Sequence, residues 1–221
     1  MCGFVGFTNK INDASIVIGK MMDRIRHRGP DSDGKYVDEQ VAMGFRRLSI
    51  IDLSDKGSQP IFNEDRSIVI TFNGEIYNYQ DLRAELLEKG HSFYTHTDTE
   101  VLVHSYEEWG TDMLNKLRGM FGFVIFDKNK DQVFGARDFF GIKPVYYAKM
   151  GETLMWGSEI KSFLDHPHFK KELMKPHWKN YLTFQYSPTS ENLFQKTYIS
   201  SLPHITLYIR TAKWRSSVTG K

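Results

Sequence analysis

The chain has 221 residues, of which 40% are hydrophobic and 14% aromatic, so it can fill the core of a large domain. No apolar run approaches the ~20 residues that span a bilayer, and one cysteine excludes an internal disulfide framework; we therefore expect a cytoplasmic protein with no membrane partner. The net charge is +2, but residues 199–221 carry four basic and no acidic side chains. About −2 remains for the rest, which offers no basic footprint for nucleic acid.

The first elements are a strand and a helix. Gly3–Thr8 alternates weakly and is predicted to be a strand entering the core. A helix is predicted from apolar residues at helical spacing, Ile18, Met21, Met22 and Ile25. It should end in RHRGPD, because Gly29 can adopt a positive φ and Pro30 cannot continue a helix.

Two strands and two helices are predicted next. The segments 41–51 and 68–77 are rich in β-branched and aromatic residues and are predicted to be strands. Asn78 can cap a helix that Gly90 ends. A further helix should begin at TDTE, where Thr97 and Glu100 have the spacing of a capping box.

From Met120 the pattern changes to short strands separated by turns. The strand segments are MFGFVIFD, QVFGARD, PVYYAKM and TLMWGS. Short connections favour antiparallel pairing, and the two preceding helices can cover a sheet. Pattern alone therefore predicts an α+β fold with antiparallel sheets.

The only cysteine, Cys2, follows the first methionine. A thiol attacks a carbonyl as the thiolate. If Met1 is removed, the α-amine of Cys2, whose ordinary pKa is about 7.7–8.0, can accept the thiol proton, directly or through water. The alternative is that Cys2 is an ordinary surface cysteine.

Several motifs in a fixed order distinguish these alternatives. They are MCGFVGF, RHRGPD, RRLSIID, FNGEIYN, TDTE, GMFGFVIFD, RDFFGIKPVYY and GSEIKSF. This succession resembles the glutaminase domain of class II glutamine amidotransferases, which are N-terminal-nucleophile hydrolases, and it is most similar to glutamine-hydrolysing asparagine synthetases of the bacterial B type. The resemblance covers residues 2–198 and implies a four-layer αββα sandwich of two antiparallel sheets.

The resemblance also implies how glutamine is held. Arg47 matches the family's arginine for the substrate α-carboxylate, and a guanidinium fork suits that group. Asp98 matches the aspartate for the α-ammonium, kept ionised by the helix dipole, and Glu75 is a second candidate for that role. Backbone groups of the segment after Arg47 should complete the carboxylate end of the pocket: Leu48, Ser49, Ile50 and Ile51.

By the same resemblance, Cys2 is the nucleophile, and the side-chain amide of Asn73 and the N–H of Gly74 stabilise the oxyanion. A missing Cβ lets the backbone approach the reacting atom. The implied reaction forms a thioester, releases ammonia and yields glutamate.

Each residue has a simpler structural explanation. Asn73-Gly74 is a common hairpin-turn dipeptide, and TDTE is an ordinary capping box in which Asp98 is merely an acid of the first turn. Arg46 should face the other side of the strand from Arg47 and serves as an internal control. RHRGPD is interpreted as a structural turn near the site, and the histidines lack metal-binding spacing.

The resemblance ends before residue 199. The ATP-dependent synthetase domain, with its S-G-G-x-D-S loop, ATP and Mg, has no counterpart in this chain, so we expect no cofactor here and a separate synthetase domain as the ammonia acceptor. The basic composition of residues 199–221 predicts an aberrant tail produced by a shift of reading frame. The sequence leaves the oligomeric state open, with a homodimer among the options.

The sequence leaves two other interpretations open. One is the glutaminase domain of a different class II amidotransferase: glucosamine-phosphate synthase, phosphoribosyl-pyrophosphate amidotransferase or glutamate synthase. The GIKPVYY and SEIKS segments favour asparagine synthetase. The other is a non-catalytic stub that binds glutamine or a partner.

Overall fold

The structure, a computed structural model, describes residues 1–9, 11–49, 57–171 and 182–183, and the backbone of 205–210 and 213–218. Within these residues the strands are β1 (Gly3–Thr8), β2 (Ser32–Val37), β3 (Val41–Arg47), β4 (Ile61–Phe62), β5 (Ile68–Ile76), β6 (Gly119–Asp127), β7 (Gln132–Arg137), β8 (Tyr146–Met150), β9 (Thr153–Gly157), β10 (Ile205–Arg210) and β11 (Lys213–Val218). The α-helices are α1 (Ala14–Arg24), α2 (Tyr79–Glu88), α3 (Asp98–Trp109) and α4 (Met113–Lys116), with 3-10 turns at Arg26–Arg28, Gly110–Asp112 and Ile160–Asp165.

The strands form two antiparallel sheets. The first sheet has the order β2-β3-β1-β9-β8, and the second has the order β11-β10-β7-β6-β5-β4. In the first sheet Gly3 lies opposite Arg46, and in the second Asn73 lies opposite Gly122. β1 therefore runs through the middle of its sheet, with its beginning beside the end of β3.

Three buried apolar layers separate four structural layers. Between the sheets, Phe4 and Phe45 pack with Val124 and Phe126. The outer face of the first sheet is covered by α1, and the outer face of the second by α2 and α3. The implied αββα sandwich is confirmed, because both faces of each sheet bury apolar side chains.

The elements predicted near the N-terminus are largely correct. β1 has the predicted bounds, and the predicted apolar face of α1 is buried in full. The edge strand β2 was missed, because its segment SDGKYV contains a glycine and two charged residues and is only half-buried. The strand predicted to reach Ile51 ends at Arg47; residues 50 and 51 lie outside the described residues.

The prediction that Gly29 adopts a positive φ was wrong. Its φ is −147°, which other residues can adopt. A Cβ at this position would instead lie 2.3 Å from the carbonyl carbon of Arg46. Glycine is required here by the close approach of two backbone segments.

The predicted helix caps are partly confirmed. Gly90 has a φ of +96°, and the Thr97 hydroxyl accepts the N–H of Glu100 at 3.3 Å. The Glu100 carboxylate does not complete a capping box; it accepts the N–H groups of Tyr94 and Thr95, both at 2.7 Å. Asn78 precedes α2, but its side chain does not cap that helix.

The later strands also match their predicted segments. Although β7 and β8 are consecutive, they belong to different sheets. Asn73-Gly74 lies inside β5, so the hairpin-turn explanation of this dipeptide is wrong. Strands β10 and β11 lie within the predicted tail, whereas the predicted boundary at residue 198 falls outside the described residues and stays a prediction. No helix in the described ranges is long and apolar enough to cross a membrane.

Candidate active site

The cysteine thiol lies where the central strand β1 begins. Because Gly3 is opposite Arg46, the antiparallel register brings Cys2 beside the end of β3. The Leu48 N–H donates to Cys2 Sγ at 3.4 Å, and the thiol donates to the Leu48 carbonyl at 3.6 Å. Two backbone groups therefore hold the partly buried thiol in place.

Cys2 opens onto a cavity of about 920 Å³. Residues of both sheets and of the segment before α3 line this cavity. The predicted site residues among them are Cys2, Arg47, Leu48, Ser49, Asn73, Gly74, Glu75 and Asp98. The predicted Ile50 and Ile51 lie outside the described residues. The fold thus gathers every described member of the predicted set around one cavity.

Arg46 and Arg47 face opposite sides of β3, as predicted. Arg47 lines the cavity and is 8% exposed. Arg46 bonds to Asp23 and Asp33 on the other side, the latter at 3.3 Å, and donates to the Met22 carbonyl. Only Arg47 can therefore meet a ligand in the cavity.

Asn73 and Gly74 present polar groups from the second sheet. Asn73 is 3% exposed, and its Nδ2 has no hydrogen-bond partner among the described residues. Burying an unpaired amide N–H₂ is costly, so this atom is suited to a ligand that supplies an acceptor. A Cβ on Gly74 would lie 2.2 Å from the Met120 carbonyl oxygen, so the neighbouring strand also requires glycine there.

Gln59 binds the backbone of Phe72, the residue before Asn73. The sequence did not predict a role for Gln59 at the site. Its Oε1 accepts the Phe72 N–H at 2.6 Å, and its Nε2 donates to the Phe72 carbonyl at 3.0 Å. The same Nε2 donates to the Thr99 hydroxyl at 3.4 Å. Gln59 therefore ties β5 to the first turn of α3. Nothing in a lone glutamine before a proline indicated this contact.

Asp98 begins α3, and its Oδ2 accepts the Ile76 N–H at 3.0 Å. Burial, with a smaller contribution from the charge of Glu75, raises the pKa of Asp98 to about 6, against the opposing effect of the Ile76 hydrogen bond. The expectation that the helix dipole keeps this carboxyl readily ionised was incomplete, because burial outweighs the local donors. A cation in the cavity would favour its ionised form.

Two backbone N–H groups after Arg47 already have acceptors in this structure. The Leu48 N–H points to the Cys2 thiol, and the Ser49 N–H donates to Asp31 Oδ2 at 2.8 Å. These two N–H groups therefore already have acceptors and are not available to a substrate carboxylate in this conformation. Leu48 and Ser49 line the cavity, and the role of their backbone groups at the substrate carboxylate stays a prediction.

The RHRGPD segment is a turn near the site, as interpreted, but one of its residues has a direct contact there. Arg28 Nε donates to the Cys2 carbonyl at 2.9 Å, and Arg28 Nη1 pairs with Glu159 at 3.1 Å. Arg28 thus fixes the backbone of Cys2. The buried Lys143, which also lines the cavity, was likewise missed as a site residue.

One histidine cluster lies outside the residues that line the cavity. Ligand atoms of His91, His104 and Glu107 are within 4.8 Å of one another, a grouping that the sequence spacing did not indicate. Burial disfavours the charged imidazole, but the neighbouring carboxylates of Glu100 and Glu107 raise the pKa of His104 to about 9. His104 Nδ1 lies 2.6 Å from Glu107 Oε2. We interpret the cluster as an ion-pair network that holds a proton.

Known proteins share this sequence pattern. The profile of the glutamine amidotransferase domain family matches residues 1–216. The chain is 46% identical over 198 residues to asparagine synthetase [glutamine-hydrolyzing] 1 of Bacillus subtilis. This alignment covers 87% of this chain and 31% of the relative. A second Bacillus subtilis enzyme of that name, numbered 2, is 45% identical, over 83% of this chain and 24% of the relative. The chain therefore spans less than a third of the length of these relatives.

Solved structures share the fold. The glutamine phosphoribosylpyrophosphate amidotransferase from B. subtilis, complexed with ADP and GMP, aligns with a TM-score of 0.71 at 18% identity, over 98% of this chain and 49% of the other. A structure described as the allosteric regulatory enzyme of purine biosynthesis aligns with a TM-score of 0.74, with the same identity and coverage. With the family profile spanning nearly the whole sequence, the chain belongs to the class II glutamine amidotransferase domain family.

Proposed function

We propose that, once Met1 is removed, this chain hydrolyses L-glutamine to glutamate and ammonia through a thioester on Cys2. The observation that carries the proposal is the convergence on one cavity of a held thiol, a buried arginine, a half-buried carboxyl and an unpaired amide. Free glutamine offers a chemical partner for each of these groups.

Glutamine is oriented by its charged end. The guanidinium of Arg47 binds the α-carboxylate, and the carboxylate of Asp98, assisted by Glu75, binds the α-ammonium. Both pairs form in the cavity with limited access to bulk water, because Arg47 is buried and Asp98 is half-buried. The side-chain amide then extends toward Cys2.

The α-amine of Cys2 takes the thiol proton, directly or through a water molecule, and the thiolate attacks the amide carbon. The resulting oxyanion accepts hydrogen bonds from Asn73 Nδ2 and the Gly74 N–H. As the tetrahedral intermediate collapses, the C–N bond breaks and the nitrogen leaves as ammonia with the proton held by the α-amine. Water then attacks the thioester, and its breakdown releases glutamate and restores the thiol.

Within the longer relatives, we propose that this domain supplies ammonia to a synthetase domain that makes asparagine. ATP and Mg belong to that domain, and no cofactor is assigned to the residues of this cavity. A reducing cytoplasm suits the chemistry, because only a reduced Cys2 can attack. Other class II glutamine amidotransferases differ in the acceptor of ammonia and not in this half-reaction.

A second function follows if Met1 is retained. The nitrogen of Cys2 is then part of a peptide bond and cannot act as a base. Met1 is also one of the residues that line the cavity. Such a chain would bind glutamine or a partner without turnover. The state of residue 1 separates the two functions.

The test is ammonia release from glutamine by protein whose intact mass shows loss of Met1. Cys2→Ala should abolish turnover. Asn73→Ala should lower kcat by about 10²–10³-fold with a smaller effect on glutamine binding, because the oxyanion exists only after attack. Normal turnover by Cys2→Ala would refute the assignment.

A further inference from the structure

Lys143 is a buried cation in the cavity, in the loop between β7 and β8. It is 8% exposed and lines the same cavity as Cys2. Two hydrogen bonds hold its backbone: the Lys143 N–H donates to Asp138 Oδ2 at 2.9 Å, and the Lys143 carbonyl accepts from Arg137 Nε at 2.7 Å. These bonds hold the backbone of the loop at Lys143, and burial keeps its side chain against the cavity.

The partner of this ammonium is unusual. Lys143 Nζ lies 3.6 Å from Met1 Sδ, and a thioether is a weak acceptor. No carboxylate pairs with it in the part of the chain that the structure describes. Arg28 also approaches Met1 Sδ, at 3.9 Å, but its charge is paired with Glu159. Among the described residues, Lys143 is thus a cation beside residue 1 that no carboxylate pairs.

Removal of Met1 takes away this weak partner and leaves the ammonium beside the new terminus. A nearby positive charge favours the thiolate over the thiol and the free amine over the ammonium. Both effects favour the reactive state of Cys2.

We propose that Lys143 is a further functional residue of this site, whose positive charge favours the thiolate and the neutral α-amine of Cys2. The inference rests on the proposed function. Lys143 acts through Cys2 and needs no contact with glutamine. Among the residues that the structure describes, the other charged or titratable groups that line the cavity or contact residues 1 and 2 are Arg28, Arg47, Glu75, His96, Asp98 and the tyrosines Tyr77 and Tyr79.

The experiment measures the rate at which iodoacetamide alkylates Cys2 as a function of pH, on protein that lacks Met1. Iodoacetamide is neutral and does not need the groups that bind glutamine. Lys143→Met should shift the midpoint of this profile upward by about one pH unit, and Lys143→Arg should restore it. Lys35→Met, which removes an exposed lysine bonded to Ser15, is the matched control and should leave the midpoint unchanged.

An unchanged midpoint in folded Lys143→Met would overturn the inference. If that variant does not fold, Lys143→Gln carries the same expectation. Ammonia release by the wild-type protein is measured alongside. Absence of ammonia release refutes the proposed function, whereas turnover with an unchanged midpoint refutes only the role of Lys143.

Discussion

At the scale of single residues, the two neighbouring arginines of β3 have different roles because successive side chains of a strand point to opposite faces. Arg47 lines the cavity, whereas Arg46 bonds to Asp23 and Asp33 on the side of α1. One residue can therefore serve as the control for the other. Arg46→Ala and Arg47→Ala would each remove one positive charge from the same strand.

Arg47→Ala should weaken glutamine binding about ten- to a hundredfold, since loss of a charge-assisted pair costs about 1.5–3 kcal/mol. Arg46→Ala should leave the affinity nearly unchanged and lower only the thermal stability. Calorimetric titration of glutamine into the two proteins, each in a Cys2→Ala background that prevents turnover, measures this. Equal losses of affinity would contradict the placement of Arg47 at the substrate carboxylate.

Asp98 predicts a pH dependence of binding. Its pKa in the unliganded protein is raised to about 6, mainly by burial, and only the ionised form pairs with the α-ammonium. The carboxyl is mostly ionised at pH 7 and mostly protonated at pH 5. The Kd for glutamine should therefore rise about tenfold as the pH falls from 7 to 5.

The control for this pH dependence is Asp98→Asn, which cannot ionise. This variant should bind glutamine weakly and with little change between pH 5 and 7. A wild-type affinity that is flat across this range, or a dependence that survives in Asp98→Asn, would assign the ammonium site to another residue.

The site residues differ in how far the sequence could identify them. Cys2 is chemically distinctive by its position, and the motifs around Arg47 and Asp98 matched a known family. Gln59 and Arg28 act through contacts with the backbone of Phe72 and Cys2. Such contacts join segments far apart in the chain, so no local pattern reports them.

At the scale of elements, the turn after α1 shows why a glycine can matter without special dihedral angles. Gly29 lies against the backbone between Arg46 and Arg47, and its neighbour Arg28 holds the Cys2 carbonyl. A side chain at Gly29 would push the turn away from β3. The position of Arg28 therefore depends on this close approach.

Gly29→Ala should lower the free energy of unfolding by about 1–3 kcal/mol, as overpacking typically does, and should also reduce ammonia release. Gly19→Ala is the control: a Cβ on this helical glycine meets nothing within 4 Å. Because alanine has a higher helix propensity than glycine, Gly19→Ala should stabilise the protein by about 0.5–1 kcal/mol. Thermal unfolding compares them, and similar stability of the two variants would refute the packing argument.

Elements with strong periodicity were predictable, and those defined by long-range pairing were less so. The apolar stripe of α1 and the alternation of β1 indicate their own structure. The half-polar β2 forms because it pairs with β3, and the separation of β7 from β8 depends on which sheet each strand joins. These outcomes follow from tertiary pairing, which composition does not encode locally.

At the scale of the whole molecule, the site is assembled from both sheets. The first sheet supplies Cys2 and Arg47, the second supplies Asn73 and Gly74, and Asp98 comes from the helix that covers the second sheet. The inter-sheet core holds these groups at a fixed separation. The candidate chemistry thus depends on the sandwich as a unit.

The most direct test of the central claim is the mass of the intact protein after treatment with a glutamine analogue that carries an electrophilic ketone in place of the amide. We expect that protein lacking Met1 gains one adduct, that peptide mapping places it on Cys2, and that excess glutamine protects against labelling. Protein that retains Met1 should react far more slowly. Labelling at another residue, or equal labelling with and without Met1, would contradict an N-terminal cysteine nucleophile.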